Sequence, residues 1–276
     1  MYNSMEPGDV QPAVENNKMV KPMFQGETFA SKIVDAFVVM HFIFAFIFAR
    51  GGSKGLPKKN ILNLGGLPLI AHSILSAKNN QMIDDVFVST DSDEIAEVSN
   101  KFEAKIIKRP KELAQDDSSE WLSWNHAINY VHDQGYVFNR FISLPATAPL
   151  RADEDINKCL LAFKGNVDVV ITVTPANRNP SFNMIKRDAK GMSNLILKSD
   201  VARRQDAPLV YDMTTVAYVT TPEYILSKKN LFEGNTYSVI IPKERAVDID
   251  DEIEGYVYFY KTGGTLTAHT LSLIHI

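Results

Sequence analysis

The stretch Ala45-Phe-Ile-Phe-Ala-Arg50-Gly-Gly-Ser-Lys-Gly-Leu-Pro-Lys-Lys-Asn-Ile61 decides how the chain is read. An apolar run breaks into a glycine-rich turn carrying Arg50, Ser53, Lys54, Lys58 and Lys59, so backbone N–H groups and several cations are offered at one place. This predicts a strand leading into a polyanion cradle. Glycines let the backbone approach phosphate oxygens with no Cβ in the way, and the cations offset charge that would otherwise repel a nucleophile. Gly51, Gly52 and Gly55 do not make G-x-G-x-x-G, and no G-x-x-x-x-G-K-[ST] is present, so neither the dinucleotide fingerprint nor the P-loop applies. The competing reading is a solvated basic turn between a strand and a helix.

Upstream of this stretch, residues 1 to about 31 are polar, carry Pro7, Pro12 and Pro22, and show no hydrophobic period. They read as a disordered leader, and Met40 as the native start, so that 1–39 stands outside the domain. The run Ala36–Ala49 has 14 residues, includes His41 and ends in the basic loop, short of the ~20 apolar residues a membrane span needs. It is expected to be a buried central strand rather than a membrane anchor or a signal sequence, which would want a basic start and a small-residue cleavage site.

Downstream the pattern alternates. Helices are predicted at Pro68–Asn79, Asp93–Phe102, around Trp121–Val131 and at Asp153–Phe163. Strands are predicted at Asp85–Thr90, Ala104–Lys108, Arg140–Leu144 and Val167–Val173. Repeated β-α-β units imply an α/β fold of three layers, a mainly parallel twisted sheet with helices on both faces. Residues 175–212 break the alternation, with strand-like pieces at Phe182–Lys186 and Leu195–Lys198, and read as an excursion from the sheet. Thr214–Thr220 and Tyr237–Ile241 return to it, with a helix starting at Thr221-Pro222 between them. Asp250-Asp-Glu-Ile is expected to open a last helix ending at Gly263-Gly264. Residues 265–276 read as an irregular tail foreign to the fold.

The whole chain bounds the rest. Its 276 residues, 45 % hydrophobic and 22 % charged, fit one soluble α/β domain, and a net charge of −4 argues against general nucleic-acid binding, so any polyanion site must be local. A single cysteine, Cys159, excludes an intrachain disulfide, fits a reducing cytoplasm, and sits on an apolar helix face as a structural thiol. Asp248 and Asp250, two apart in an extended segment, put both carboxylates on one side, a spacing that suits a hard divalent cation such as Mg2+. The competing reading makes Asp250 and its acidic followers a helix cap.

Arg50-Gly-Gly-Ser-Lys-Gly-Leu-Pro-Lys-Lys-Asn60 closely resembles the signature loop of the acylneuraminate cytidylyltransferases, enzymes that make CMP-sialic acid and related CMP-sugars. Val88-Ser-Thr-Asp91, Arg109-Pro-Lys-Glu-Leu-Ala114, Ala146-Thr-Ala-Pro-Leu-Arg151 and Val247-Asp-Ile-Asp250 follow in the family's order, over about residues 43–260. The resemblance implies a nucleotide-diphospho-sugar transferase-like fold and attack by the anomeric hydroxyl of a 2-keto sugar acid on the α-phosphate of CTP. Arg50 and Lys59 would be catalytic. Gly51, Gly52, Ser53, Asn60, Asp91 and Arg109 would bind the nucleotide, although Asp91 could instead cap the helix at Asp93. Asp248 and Asp250 would hold Mg2+, the ion itself lowering the pKa of the attacking hydroxyl, since no side chain stands out as general base. The excursion matches the family's dimerisation arm, which would bring Arg204 and Gln205 into a partner's site in a homodimer; the alternative is a surface hairpin.

Two departures qualify the match. Pro145 stands where many members have a glutamine able to read cytosine, and Met213-Thr-Thr-Val-Ala217 stands where sialic-acid members often show Asn-Gly-Ala. A legionaminic- or pseudaminic-like acceptor is therefore in view. Two other classes compete: a nucleotide-binding sensor without turnover, and a nucleotide-sugar glycosyltransferase using Asp248-Ile-Asp250 as its metal motif. Retention of both the cations and the aspartates favours the cytidylyltransferase.

Overall fold

A computed structural model describes residues 42–53 and 55–250. Strand β1, Ile43–Phe48, is an interior strand of the sheet, paired on both sides, and contributes to both of its faces. Its side chains alternate as a strand requires: Ile43, Ala45 and Ile47 enter one core, while Phe44 and Phe46 enter the other. The part of the apolar run that is described is thus the buried strand expected. Among the described residues no helix is long and apolar enough to cross a membrane.

Around β1 the chain adds the hairpin strands β2 (Asn63–Leu64) and β3 (Leu67–Pro68), helix α1 (Leu69–Asn79), β4 (Asp85–Thr90), α2 (Asp93–Lys101) and β5 (Lys105–Lys108). Helix α3 (Glu120–Asp133), β6 (Arg140–Ser143), α4 (Asp153–Ala162) and β7 (Val169–Pro175) follow. The excursion holds β8 (Ile185–Arg187) and β9 (Ser193–Leu195), and β10 (Tyr211–Thr220), α5 (Pro222–Ser227) and β11 (Thr236–Ile240) close the described chain. Seven strands form one sheet in the order β11-β7-β10-β6-β1-β4-β5. All neighbours pair parallel except β10, which runs antiparallel to both β6 and β7.

Helices α1, α2 and α4 cover the aliphatic face through Ile70, Ile74, Ile95, Ile156 and Cys159; α3 and α5 cover an aromatic face through Trp124, Ile128 and Ile225. On that second face Phe46 stacks on Phe141 with centroids 4.7 Å apart and Phe44 on Phe138 at 4.8 Å. Such offset pairs add to the area they bury. The three-layer, mainly parallel architecture is as expected, and the main-sheet elements fall within a few residues of the predicted spans. The Leu64-Gly-Gly-Leu67 hairpin was not anticipated, although Gly65 and Gly66 both take positive φ there (64° and 91°), a conformation glycine adopts without strain.

The excursion's strands were placed early and late: β8 begins at Ile185, not Phe182, and β9 ends at Leu195, where the predicted piece begins. Asp188 explains the shift, since its carboxylate accepts the N–H groups of Lys190 and Met192 and so builds the turn between them. The leader, the helix expected after Asp250 and the tail lie outside the described residues.

Candidate active site

The segments that follow β1, β4, β5 and β6, all parallel, leave the sheet at one edge, the edge where ligands bind in open α/β sheets. Because β10 is antiparallel, its opening residues reach the same edge. The glycine loop leaves β1 there, and four contacts fix it. The Gly51 N–H donates to Asp91 Oδ1 at 3.0 Å, and buried Asn60 donates from Nδ2 to the Arg50 carbonyl at 3.1 Å. Lys58 takes a left-handed φ of 54° and pairs with Glu94 at 2.8 Å. Finally, Gly55 packs so tightly on the segment ending at Asp250 that a Cβ there would lie 2.8 Å from the Asp250 carbonyl oxygen. Gly52 faces open space.

Phe48, Arg50, Ser53, Gly55, Leu56, Lys59, Asn60, Thr147 and Asp250 enclose a cleft of about 350 Å³. Its two cations are both ion-paired: Arg50 Nη1 lies 2.7 Å from Asp116 Oδ1, and Lys59 Nζ lies 2.6 Å from Asp250 Oδ1. The sequence motif singled out Arg50, Ser53, Lys59, Asn60 and Asp250, and they are brought together. It gave no role to Thr147, within the Ala146–Arg151 motif, or to Asp116, which sits 66 positions from its partner with no motif to mark it.

Other predicted residues stand behind the cleft. Asp91 holds the loop by its Gly51 contact and does not cap α2; that cap is Ser92, whose Oγ accepts the Ile95 N–H at 3.4 Å. Arg109 is buried, its Nη1 donating to Ser123 Oγ and its Nη2 to the Ser89 carbonyl, so it braces β4 against α3. Burial lowers its pKa, and Asp91 and Glu120 work against that. Arg204 and Gln205 do not reach the cleft of their own chain. Arg204 donates to the Asn177 carbonyl at 3.1 Å and lines a separate cleft of about 590 Å³ with Lys158, Thr174 and Lys243.

Asp248 fits a cation ligand on two counts. Its Oδ1 is buried without a hydrogen-bond partner, and burial pushes its pKa up against the favourable influence of Thr147 and Thr215. A buried carboxylate oxygen left unsatisfied is costly unless something charged completes it. Among the described residues no cluster of three or more His, Cys, Asp or Glu gathers to hold a metal, at this pair or elsewhere. An ion held by Asp248 and Asp250 would therefore take further oxygen ligands from phosphate and water, the habit of Mg2+.

The family model described as cytidylyltransferase matches residues 44–239. The post-translational flagellin modification protein B of Campylobacter coli is 35 % identical over 218 residues, covering 77 % of this chain and 91 % of that protein. A CMP-N,N'-diacetyllegionaminic acid synthase of Campylobacter jejuni is 36 % identical over the same shares. In shape the chain is similar to a CMP:2-keto-3-deoxy-manno-octonic acid synthetase solved with CTP, with TM-score 0.58, 16 % identity, and coverage of 81 % of this chain and all of that one. With a glycine-lysine loop at the end of β1 and a match running through most of the sheet, the chain belongs to the cytidylyltransferase family.

Proposed function

We propose that the protein transfers the cytidylyl group of CTP to the anomeric hydroxyl of a 2-keto nonulosonic acid and releases pyrophosphate. The observation that carries this reading is the cleft at the end of β1, where Arg50 and Lys59 stand with Ser53 and Asn60 on a loop in which Gly52 faces open space. In the reaction the acceptor oxygen bonds to the α-phosphorus as the bond from that phosphorus to the bridging β-phosphate oxygen breaks. The electron pair leaves with pyrophosphate and the hydroxyl proton passes to solvent. Such a displacement asks nothing covalent of the protein, only positioning and neutralised charge.

Gly52 through its N–H and Ser53 through its hydroxyl would hold phosphate oxygens, while Gly51, its N–H given to Asp91, would shape the turn around the nucleotide, and Arg50 and Lys59 would meet the charge that builds up on the leaving group. To do so each must exchange a carboxylate partner for phosphate. Asp91 and Arg109 keep the loop and the nucleotide-facing strand ends in place. Mg2+ bound at Asp248 and Asp250 would supply Lewis-acid neutralisation and a more acidic acceptor hydroxyl. A legionaminic-like acceptor is supported by the Campylobacter jejuni relative and by Met213–Ala217 in place of Asn-Gly-Ala.

The protein is further read as a cytoplasmic homodimer whose arm, residues 175–212, carries Arg204 and Gln205 into the partner's cleft. Leu209 at 88 % exposure, with exposed Met192 and Leu197 on the same excursion, supports an arm that lacks its covering surface. Pyrophosphate release tests the reaction: each of four nucleoside triphosphates is incubated with Mg2+ and a panel of 2-keto sugar acids. Release is expected with CTP and a nonulosonic acid together. CTP binding without acceptor-dependent release would replace the enzyme by a sensor.

A further inference from the structure

Arg151 closes the Ala146–Arg151 motif, and the reaction as described gives it no part. It is buried, and the hydrogen-bond acceptors of its guanidinium are all neutral. Nε donates to the Val216 carbonyl of β10 at 2.5 Å, Nη1 to Ser73 Oγ of α1 at 3.0 Å, and Nη2 to the Pro145 carbonyl, in the turn after β6, at 2.8 Å. Ser73 Oγ donates in turn to the same Pro145 carbonyl at 2.9 Å, which closes a ring of three hydrogen bonds. Taking a cation out of water for two carbonyls and a hydroxyl costs stability that an apolar side chain filling the same space would not. The brace therefore holds something other than the core.

What it holds is a wall of the cleft. In the turn after β6, Ala146 and Ala148 are buried, and Thr147 between them lines the cleft with Arg50, Ser53 and Lys59. Arg151 fixes that turn from both ends, its side chain on Pro145 and its backbone N–H on the Ala148 carbonyl at 3.4 Å. The Thr147 carbonyl accepts the Ile249 N–H at 2.8 Å, so the same turn seats the segment that brings Asp250 to Lys59. The other end of the brace is irregular. Pairing of β10 with β7 steps from Thr214↔Thr172 to Tyr218↔Ile171, so Thr215, Val216 and Ala217 fall outside the register. Such a bulge strands backbone groups: Arg151 takes up the Val216 carbonyl, and Thr172 Oγ1 meets the Thr214 carbonyl at 3.1 Å and the Ala217 N–H at 3.3 Å.

Resting on the reading of this cleft as the triphosphate site, we propose that Arg151 is a positioning residue for the nucleotide: gripping Pro145, Ser73 and Val216 together, it holds Thr147 at the cleft wall, where the Thr147 hydroxyl meets the bound nucleotide. A double-mutant cycle tests this, with CTP dissociation constants measured by titration calorimetry in the presence of Mg2+ and without acceptor. Thr147→Val keeps the shape and removes the hydroxyl. Arg151→Lys keeps the charge, but a single ammonium cannot reproduce the planar fork that spans three acceptors. Each change alone should weaken CTP about 10-fold, the loss of one hydrogen bond to a charged group. In the Thr147→Val background Arg151→Lys should add less than about 2-fold, because residues that act through one contact are not additive.

A merely structural arginine gives a different pattern: a lower melting temperature with an unchanged dissociation constant for the folded protein, or two effects that multiply to about 100-fold. Either result overturns the proposal, as does Thr147→Val binding CTP like wild type. Should Arg151→Lys fail to fold, Ser73→Ala takes its place in the cycle, since it removes the acceptor of Nη1 and the second donor to Pro145 while leaving the guanidinium. Ser73→Ala should weaken CTP and lose that effect in Thr147→Val; wild-type affinity in Ser73→Ala would then overturn the role. Lys59→Ala separates the two levels. If it binds CTP like wild type, the triphosphate reading of the cleft fails and this inference with it. If Lys59→Ala is impaired while Arg151→Lys matches wild type, the cleft reading stands and only the positioning role of Arg151 falls.

Discussion

Lys59 keeps its ammonium 2.6 Å from Asp250, a residue that is itself 68 % exposed. With the Asp250 end open to water the pair itself contributes little, but the Lys59 side chain is only 13 % exposed. Lys59→Ala should therefore keep the fold and lower the unfolding temperature modestly through lost packing of its stem. Its kcat at saturating substrates should nevertheless fall about 100-fold, one charge-stabilising donor being worth ~3 kcal/mol in the transition state. Wild-type turnover in that variant would remove Lys59 from the phosphate site. Cys159 tests the core instead. It is fully buried, and burial raises its thiol pKa to about 12 from a usual 9.0. The unfolded thiol ionises first as pH rises, so above pH 9 the unfolded state binds fewer protons and stability falls until pH 12. At pH 10 this amounts to about 1.4 kcal/mol. Urea titrations of wild type and Cys159→Ala at pH 8 and pH 10 should differ in slope with pH by that amount, and parallel curves would show the thiol to be solvated.

Helix α4 begins where the chain returns from the cleft, and Asp155 in its first turn is inaccessible to solvent. Arg245 donates two hydrogen bonds of 2.8 Å to it from Nε and Nη2, and the Ala152 N–H donates a third. Removing the carboxylate leaves Arg245 only its longer 3.7 Å contact with Glu154 and leaves a helix-terminal N–H unpaired. Asp155→Ala should therefore cost about 3 kcal/mol, at the low end for a broken buried pair because Arg245 can still reach water. Denaturant unfolding checks it, and a loss under 1 kcal/mol would show the pair to be incidental. None of this was legible beforehand, since Asp155 and Arg245 are 90 positions apart and each looks like an ordinary charged residue. Elements with a strong local signal were legible: the unbroken apolar run of Ile43–Phe48 and the apolar faces of Leu69–Asn79 and Asp93–Lys101 locate themselves. The β10 bulge was not, because Thr-Thr-Val-Ala is good strand sequence and only Thr172 and Arg151 make its irregularity affordable. Likewise the glycine loop marked the cradle, while Asp116 and Thr147 acquired their places only through tertiary contact.

At the scale of the whole molecule a chain of net charge −4 brings two cations, Arg50 and Lys59, to the cleft proposed for polyphosphate and pairs each with a carboxylate. Within one chain the cleft receives nothing from the arm, because Arg204 lies against Asn177 and lines a different cleft. If the arm serves a partner, the two functions are separable by mutation. A Lys59→Ala protomer has a disabled cleft and an intact arm; an Arg204→Ala protomer has the reverse. In a two-fold dimer each site would draw its phosphate cations from one chain and Arg204 from the other. Co-expressing the two inactive variants should then recover about a quarter of wild-type activity: half the dimers are mixed, and each mixed dimer has one site of two intact. Light scattering on the purified mixture should show a dimer, and Leu209→Glu, which puts a charge on the exposed arm, should abolish both the dimer and the recovery. A monomer by light scattering removes the arm's role altogether. A dimer without recovered activity leaves the arm as an interface only and returns Arg204 to the surface of its own chain.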